Sequence, residues 1–216
     1  MYNHIQTNAT YSPWLEDKEF NSIFEVIVNG YTMVDKYRCW ELWDLLSEVS
    51  KLNGAIIEVG CWNGGTASLI AKRAKLLNIK DIVYFADTFK GVVKAGEFDP
   101  YYKNGKHNDS DKAKVLKLIS ILGLDNARIL EGIFPEEINL KENIFRFAHI
   151  DVDTYQSGRD AFTWIWEKLV VNGIIVFDDY GFNGNQGITK LVNEYKGDID
   201  KIIVYNLNGH AIIIKK

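Results

Sequence analysis

Apolar and polar positions change rhythm at Gly54. Before it, apolar residues recur at helical spacing: Phe20, Ile23, Phe24 and Ile27 within 14–28, then Trp40, Leu42, Trp43, Leu45, Leu46 and Val49 within 35–52. Two amphipathic helices are predicted there, separated by the glycine-containing break Asn29-Gly-Tyr-Thr-Met-Val34. After Gly54, short apolar runs alternate with helical-period segments. Residues 55–59, 82–86, 127–131, 145–152 and 173–177 read as strands, and the first is apolar except for Glu58, as expected where helices cover both faces of a sheet. Helices are predicted over about 65–77, 111–122, 156–170 and 186–195. Residues 202–205 and 211–214 flank Asn206-Leu-Asn-Gly209, a hairpin pattern. This order predicts a doubly wound α/β fold: a mostly parallel, Rossmann-like sheet with an antiparallel C-terminal hairpin. It divides the chain into an N-terminal helical extension or lid, 1–53, and one α/β domain, 54–216.

Candidate chemistry gathers where strands end. Gly60, Gly64 and Gly65 follow the first strand and precede a helix, so the backbone can turn sharply and offer amides to a ligand. The spacing is E-x-G-x-x-x-G rather than the G-x-G-x-x-G of dinucleotide folds. Asp87 closes the second strand, where a carboxylate can accept both hydroxyls of a ribose. Together the two features favour a nucleoside-type ligand over glycines used only for packing. Asp151, Asp153, Asp178 and Asp179 close strands four and five. Carboxylates converging at one sheet edge repel each other unless a cation or proton intervenes, and an all-oxygen set suits Mg²⁺ rather than zinc. Turn formation and helix capping are the structural alternatives for these residues. His149 shares a strand face with Asp151 and Asp153, as either a buried, hydrogen-bonded histidine or a catalytic one. The long insertion 88–109, with Phe98, Tyr101, Tyr102 and His107, is expected to be functional or mobile.

Composition narrows the partners. The 216 residues are 47% hydrophobic with a net charge of −4, enough for a full core, and both signs are dispersed. The absence of a basic block argues against nucleic acid. No apolar run approaches a membrane span, and no signal-peptide pattern opens the chain. Cys39 and Cys61 lie far apart and read as reduced thiols of a cytoplasmic protein.

Four motifs carry a resemblance: Glu58-Val-Gly-Cys-Trp-Asn-Gly-Gly65, Ala86-Asp-Thr-Phe-Lys-Gly91, His149-Ile-Asp-Val-Asp-Thr-Tyr155 and Val176-Phe-Asp-Asp-Tyr-Gly181. Together they resemble the class I S-adenosylmethionine methyltransferases, and more narrowly the macrocin, mycinamicin and novobiocin sugar O-methyltransferases. Tyr31-Thr-Met-Val34 and residues 38–42 also look like that group's N-terminal region, whereas Asp-Val-Asp stands where the group commonly has Asp-Gly-Asp. The resemblance implies a seven-stranded sheet and Mg²⁺-dependent transfer of a methyl group from S-adenosylmethionine to a hydroxyl of a sugar, nucleotide-sugar or glycoside, by an enzyme that can be a homo-oligomer. It implies cofactor contacts from Thr32, Met33, Glu58, Gly60, Cys61, Trp62, Gly64, Asp87, Thr88, Phe89, Glu131 and Gly132. Asp151, Asp178 and Asp179 would hold the metal, with Asp151, Asp153 or His149 as base. A catechol-like phenol methyltransferase and an inactive cofactor-binding module are the rival readings.

Overall fold

A computed structural model describes residues 2–6 and 8–216. A short 3₁₀ turn, Pro13–Leu15, precedes α1 (Lys18–Ile27) and α2 (Lys36–Glu48). Then follow β1 (Ala55–Val59), α3 (Gly65–Leu76), β2 (Val83–Asp87), α4 (Lys112–Leu122), β3 (Ala127–Glu131) and β4 (Phe145–Ile150). The chain ends with α5 (Tyr155–Trp166), β5 (Leu169–Phe177), α6 (Gln186–Glu194), β6 (Lys201–Tyr205) and β7 (Ala211–Lys215).

The strands form one seven-stranded sheet in the order β3-β2-β1-β4-β5-β7-β6. β1 pairs in parallel with both β2 and β4, while β7 runs antiparallel between β5 and β6. The strand order therefore reverses between β1 and β4, opening a crevice at their carboxyl ends. Alternating side chains feed two cores. Ile56, Phe85, Phe147 and Val176 pack under α1, α2 and α3 with Phe20, Trp43 and Leu46, all buried. Ile57, Phe145, Ala148 and Phe177 pack on the other face with Ile165 and Leu191. The helices before Gly54 thus share a core with the sheet.

Some boundaries differ from the sequence pattern. The first helix starts at Lys18, where the Asp17 side chain accepts from the Phe20 amide, and Trp14 stays in the preceding turn. The helix expected to reach residue 170 stops at Trp166, because Leu169 already pairs with Phe145 of β4. An irregularity then shifts the register to Phe147 opposite Ile174, and Asn172 adopts φ +64 within it. The apolar run 169–171 continued a helical period by coincidence while serving the sheet.

Candidate active site

A cavity of about 300 Å³ opens at the carboxyl ends of β1, β2, β4 and β5. Asp87 and Trp62 line it on one side and Asp151, Asp153, Asp178 and Asp179 on the other. Val92, Val93, Phe134 and Val152 make apolar wall between them.

Asp87 is fixed by its own backbone surroundings. Its Oδ2 accepts from the Trp62 amide and its Oδ1 from the Phe89 amide, each at 2.7 Å. Burial holds its carboxyl above the usual range, and these amides offset that only in part. Trp62 (φ +46) and Phe89 (φ +51) hold left-handed conformations that aim those amides at it. The Trp62 indole in turn donates to Asp109 at 3.0 Å, tying the turn to the end of the long insertion.

Packing by itself already requires glycine at two of these positions. A Cβ on Gly60 would lie 1.8 Å from the Asp151 carbonyl oxygen, and one on Gly65 would lie 2.5 Å from that of Tyr31. Gly64 caps α3 in the left-handed region at φ +82. The Gly65 amide donates to the Tyr31 carbonyl at 2.8 Å, so the start of α3 holds the 31–34 segment, and Met33 and Val34 of that segment line the cavity.

The aspartates at the other pole differ in surroundings. Asp151 has no side-chain hydrogen bond among the described residues, and burial together with Asp178, Asp179 and Asp153 holds its carboxyl well above the usual range. Asp179 is raised likewise by burial and its acidic neighbours, while its Oδ2 accepts from Asn185 at 2.8 Å. Asp178, 2% exposed, is lowered instead: burial opposes ionisation, but the charges of His210, Arg38 and His149 outweigh it. Arg38 of α2 donates to Asp178 Oδ1 and, at 2.7 Å, to Asp35. Burial alone pulls the Arg38 guanidinium down, yet the two carboxylates more than reverse that. Asp153 sits at φ +63, with the Tyr102 hydroxyl beside it and the Asn185 amide 3.4 Å from its Oδ1.

The donor chemistry fits a hard divalent cation. Asp151, Oδ2 of Asp178 and Oδ1 of Asp179 carry no protein hydrogen bond among the described residues, and all three side chains line the cavity. Oxygen donors of this kind suit Mg²⁺.

Of the sequence-predicted residues, Met33, Gly60, Trp62, Asp87, Thr88, Gly132, the four aspartates, and Tyr102 and His107 of the insertion line the cavity. The others do not. Glu58 is fully buried with Thr66 donating to it, and Cys61 is sealed beneath the turn. Gly64 abuts Val115, and Thr32 accepts from the Val34 amide. Phe89 acts through its amide, and Glu131 turns outward to Lys112. His149 is fully buried, with Nδ1 3.5 Å from Glu58, so it is a poor position for a base. The insertion is anchored rather than loose: Asp99, 3% exposed, accepts from the Tyr155 amide at the start of α5 and from the Gly96 amide. Sequence reasoning missed Asp99, Asn185, Glu41 and His210 and gave Arg38 no role. A lone buried charge on an amphipathic helix, as Arg38 and Glu41 are, was the available signal.

The chain is similar to known methyltransferases in sequence and in fold. Demethyldecarbamoylnovobiocin O-methyltransferase of Streptomyces niveus is 24% identical over 167 residues, covering 70% of this chain and 63% of that protein. The 8-demethyl-8-(2,3-dimethoxy-alpha-L-rhamnosyl)-tetracenomycin-C 4'-O-methyltransferase of Streptomyces olivaceus is 26% identical, covering 67% and 63%. The chain spans less than two thirds of either relative. The solved structure of the O-methyltransferase NovP superposes with a TM-score of 0.76 at 22% identity over 87% of this chain and 83% of that one. That of the Podospora anserina methyltransferase PaMTH1, bound to S-adenosylhomocysteine, gives 0.62 at 15% identity over 98% and 100%. The model of the macrocin O-methyltransferase family matches residues 7–205, and the chain belongs to that family.

Proposed function

We propose that this protein transfers the methyl group of S-adenosylmethionine to a hydroxyl of a sugar or sugar-bearing small molecule, with Mg²⁺ as a required ion. The observation that carries the reading is that Asp87 and the four strand-end aspartates line opposite sides of one cavity. Bound there, S-adenosylmethionine would supply an electrophilic sulfonium methyl and Mg²⁺ a Lewis acid for the acceptor oxygen. The sugar class is supported by a relative named for a rhamnosyl tetracenomycin.

The chain's own residues divide the work. Asp87 accepts the ribose hydroxyls with the lone pairs its two amide contacts leave over. Asp151, Asp178 and Asp179 hold the ion through their free oxygens. Asp153 is then the carboxylate left to take the acceptor's proton: it lines the cavity, and Tyr102 and Asn185 orient it. Val92, Val93 and Phe134 keep water from the reacting atoms. The segment 31–34 covers the cofactor side as a lid.

Isothermal titration of the whole chain tests the reading. S-adenosylhomocysteine should bind, and Asp178→Asn or Asp179→Asn should weaken Mg²⁺ binding while leaving that affinity intact. Equal binding of NAD without binding of S-adenosylhomocysteine would sink the cofactor class.

A further inference from the structure

Behind Asp178 lies a polar group that no step above uses. His210, just before β7, is fully buried; its Nδ1 is 2.5 Å from Glu41 Oε2 of α2, and its Nε2, which has no hydrogen-bond partner among the described residues, faces Asp178 Oδ1 at 3.5 Å as a charge-range contact. Glu41 also accepts from Asn206 and, at 3.2 Å, from Asn208 in the β6–β7 turn. The same Asp178 oxygen takes Arg38 and, at 2.8 Å, the Asp179 amide. Every contact to this carboxylate therefore falls on Oδ1, and Oδ2 is left for the cavity that Asp178 lines.

We infer that Glu41 and His210 are positioning residues for Asp178. Glu41 fixes the imidazole, the imidazole backs Oδ1, and Arg38 completes the brace, so that Oδ2 keeps one direction. The inference rests on the metal reading of Asp178. A separate metal site is the competing use of these residues, since ligand atoms of His149, Asp178 and His210 lie within 4.8 Å of one another and both nitrogens of His149 are unpartnered. An ion held there through Oδ1 would share that oxygen with two hydrogen-bond donors and stand beside the Arg38 guanidinium. That geometry favours a brace. Carboxylates that bind metals depend on such outer contacts for their aim, and losing one costs about 10–100-fold in metal affinity.

The test uses Mn²⁺ as the probe, titrated into the whole chain and followed by electron paramagnetic resonance, with S-adenosylhomocysteine affinity measured alongside. Glu41→Gln and His210→Gln should each weaken Mn²⁺ binding about tenfold or more. The double variant should be no weaker than the worse single one, because the two residues act in series. S-adenosylhomocysteine affinity should not change. Glu41→Gln preserves side-chain shape and carries the test if His210→Gln does not fold. Wild-type Mn²⁺ affinity in the folded variants overturns the inference, even if they melt at lower temperature. Loss of Zn²⁺ binding with Mn²⁺ binding intact in His210→Gln overturns it too, in favour of a separate ion site. Failure of the unaltered protein to bind Mn²⁺ would instead remove the metal reading, and this inference with it.

Discussion

Asp87 and Asp153 are both strand-end carboxylates, yet their surroundings fit them for different work. Asp87 is held on both oxygens by backbone amides, a rigid acceptor for a ligand's hydroxyls. Asp87→Ala leaves those hydroxyls without a partner and should weaken S-adenosylhomocysteine binding by about 1–3 kcal/mol in calorimetry. Unchanged affinity would remove Asp87 from the ligand site. Asp153 is oriented by Tyr102 and Asn185 with Asp179 as its acidic neighbour, and it is not among the oxygens proposed to hold the ion, so its loss should leave both ligands bound. Asp153→Asn should lower kcat by about 10²–10⁴-fold, the range for losing a general base, with Mn²⁺ and S-adenosylhomocysteine affinities intact. A variant that loses Mn²⁺ instead would make Asp153 a metal ligand. At this scale the sequence was legible where a residue's position followed from its place at a strand end, as for Asp87 and Asp178, which both line the cavity. For His149 the sequence left a buried residue and a base as alternatives, because strand alternation gives a face but not a depth; it is fully buried beside Glu58 of β1, though without the hydrogen bond expected of it.

The insertion 88–109 shows what local pattern leaves out at the level of elements. Its length and polarity suggest a loose loop, yet the buried Asp99 joins it to the first turn of α5, and Thr154 and Ser157 donate to the Val93 carbonyl at 3.0 and 3.1 Å. Asp99→Ala strands the Tyr155 and Gly96 amides and should cost about 1–3 kcal/mol. That corresponds to roughly 2–4 °C in Tm for each kcal/mol in a chain of this size. Unchanged melting would mean the insertion is held elsewhere. Hydrogen exchange of the unliganded protein should then show Tyr155 and its neighbours protected in the parent and exposed in Asp99→Ala. Helix starts were legible at Asp35 and Asp111, whereas the cap at Asp17 went unread because apolar Trp14 extended the helical period ahead of it. A helix end was not legible where an apolar run serves a strand at a helical spacing, as at 169–171.

Across the whole molecule, the strand–helix alternation and hairpin foretold the mostly parallel sheet with its reversed edge, because each element's apolar period is local. What the chain alone could not display is the brace that joins α2 to the β6–β7 turn and the end of β5. Arg38 meets Asp178 across 140 positions and Glu41 meets His210 across 169, distances that no local pattern records. The N-terminal helices are therefore tied to the acidic end of the cavity through Arg38, which lines it. No helix among the described residues is long and apolar enough to cross a membrane. Ion-dependent methylation of a sugar hydroxyl is tested most directly by transfer of a labelled methyl from S-adenosylmethionine to a panel of glycosides and catechols. Mass spectrometry locates the label in three conditions: with Mg²⁺, with excess EDTA, and after Mg²⁺ is restored. Label is expected on a sugar hydroxyl with Mg²⁺, with its loss in EDTA and its return with the ion. Full transfer in excess EDTA, or label on catechols alone, would contradict it.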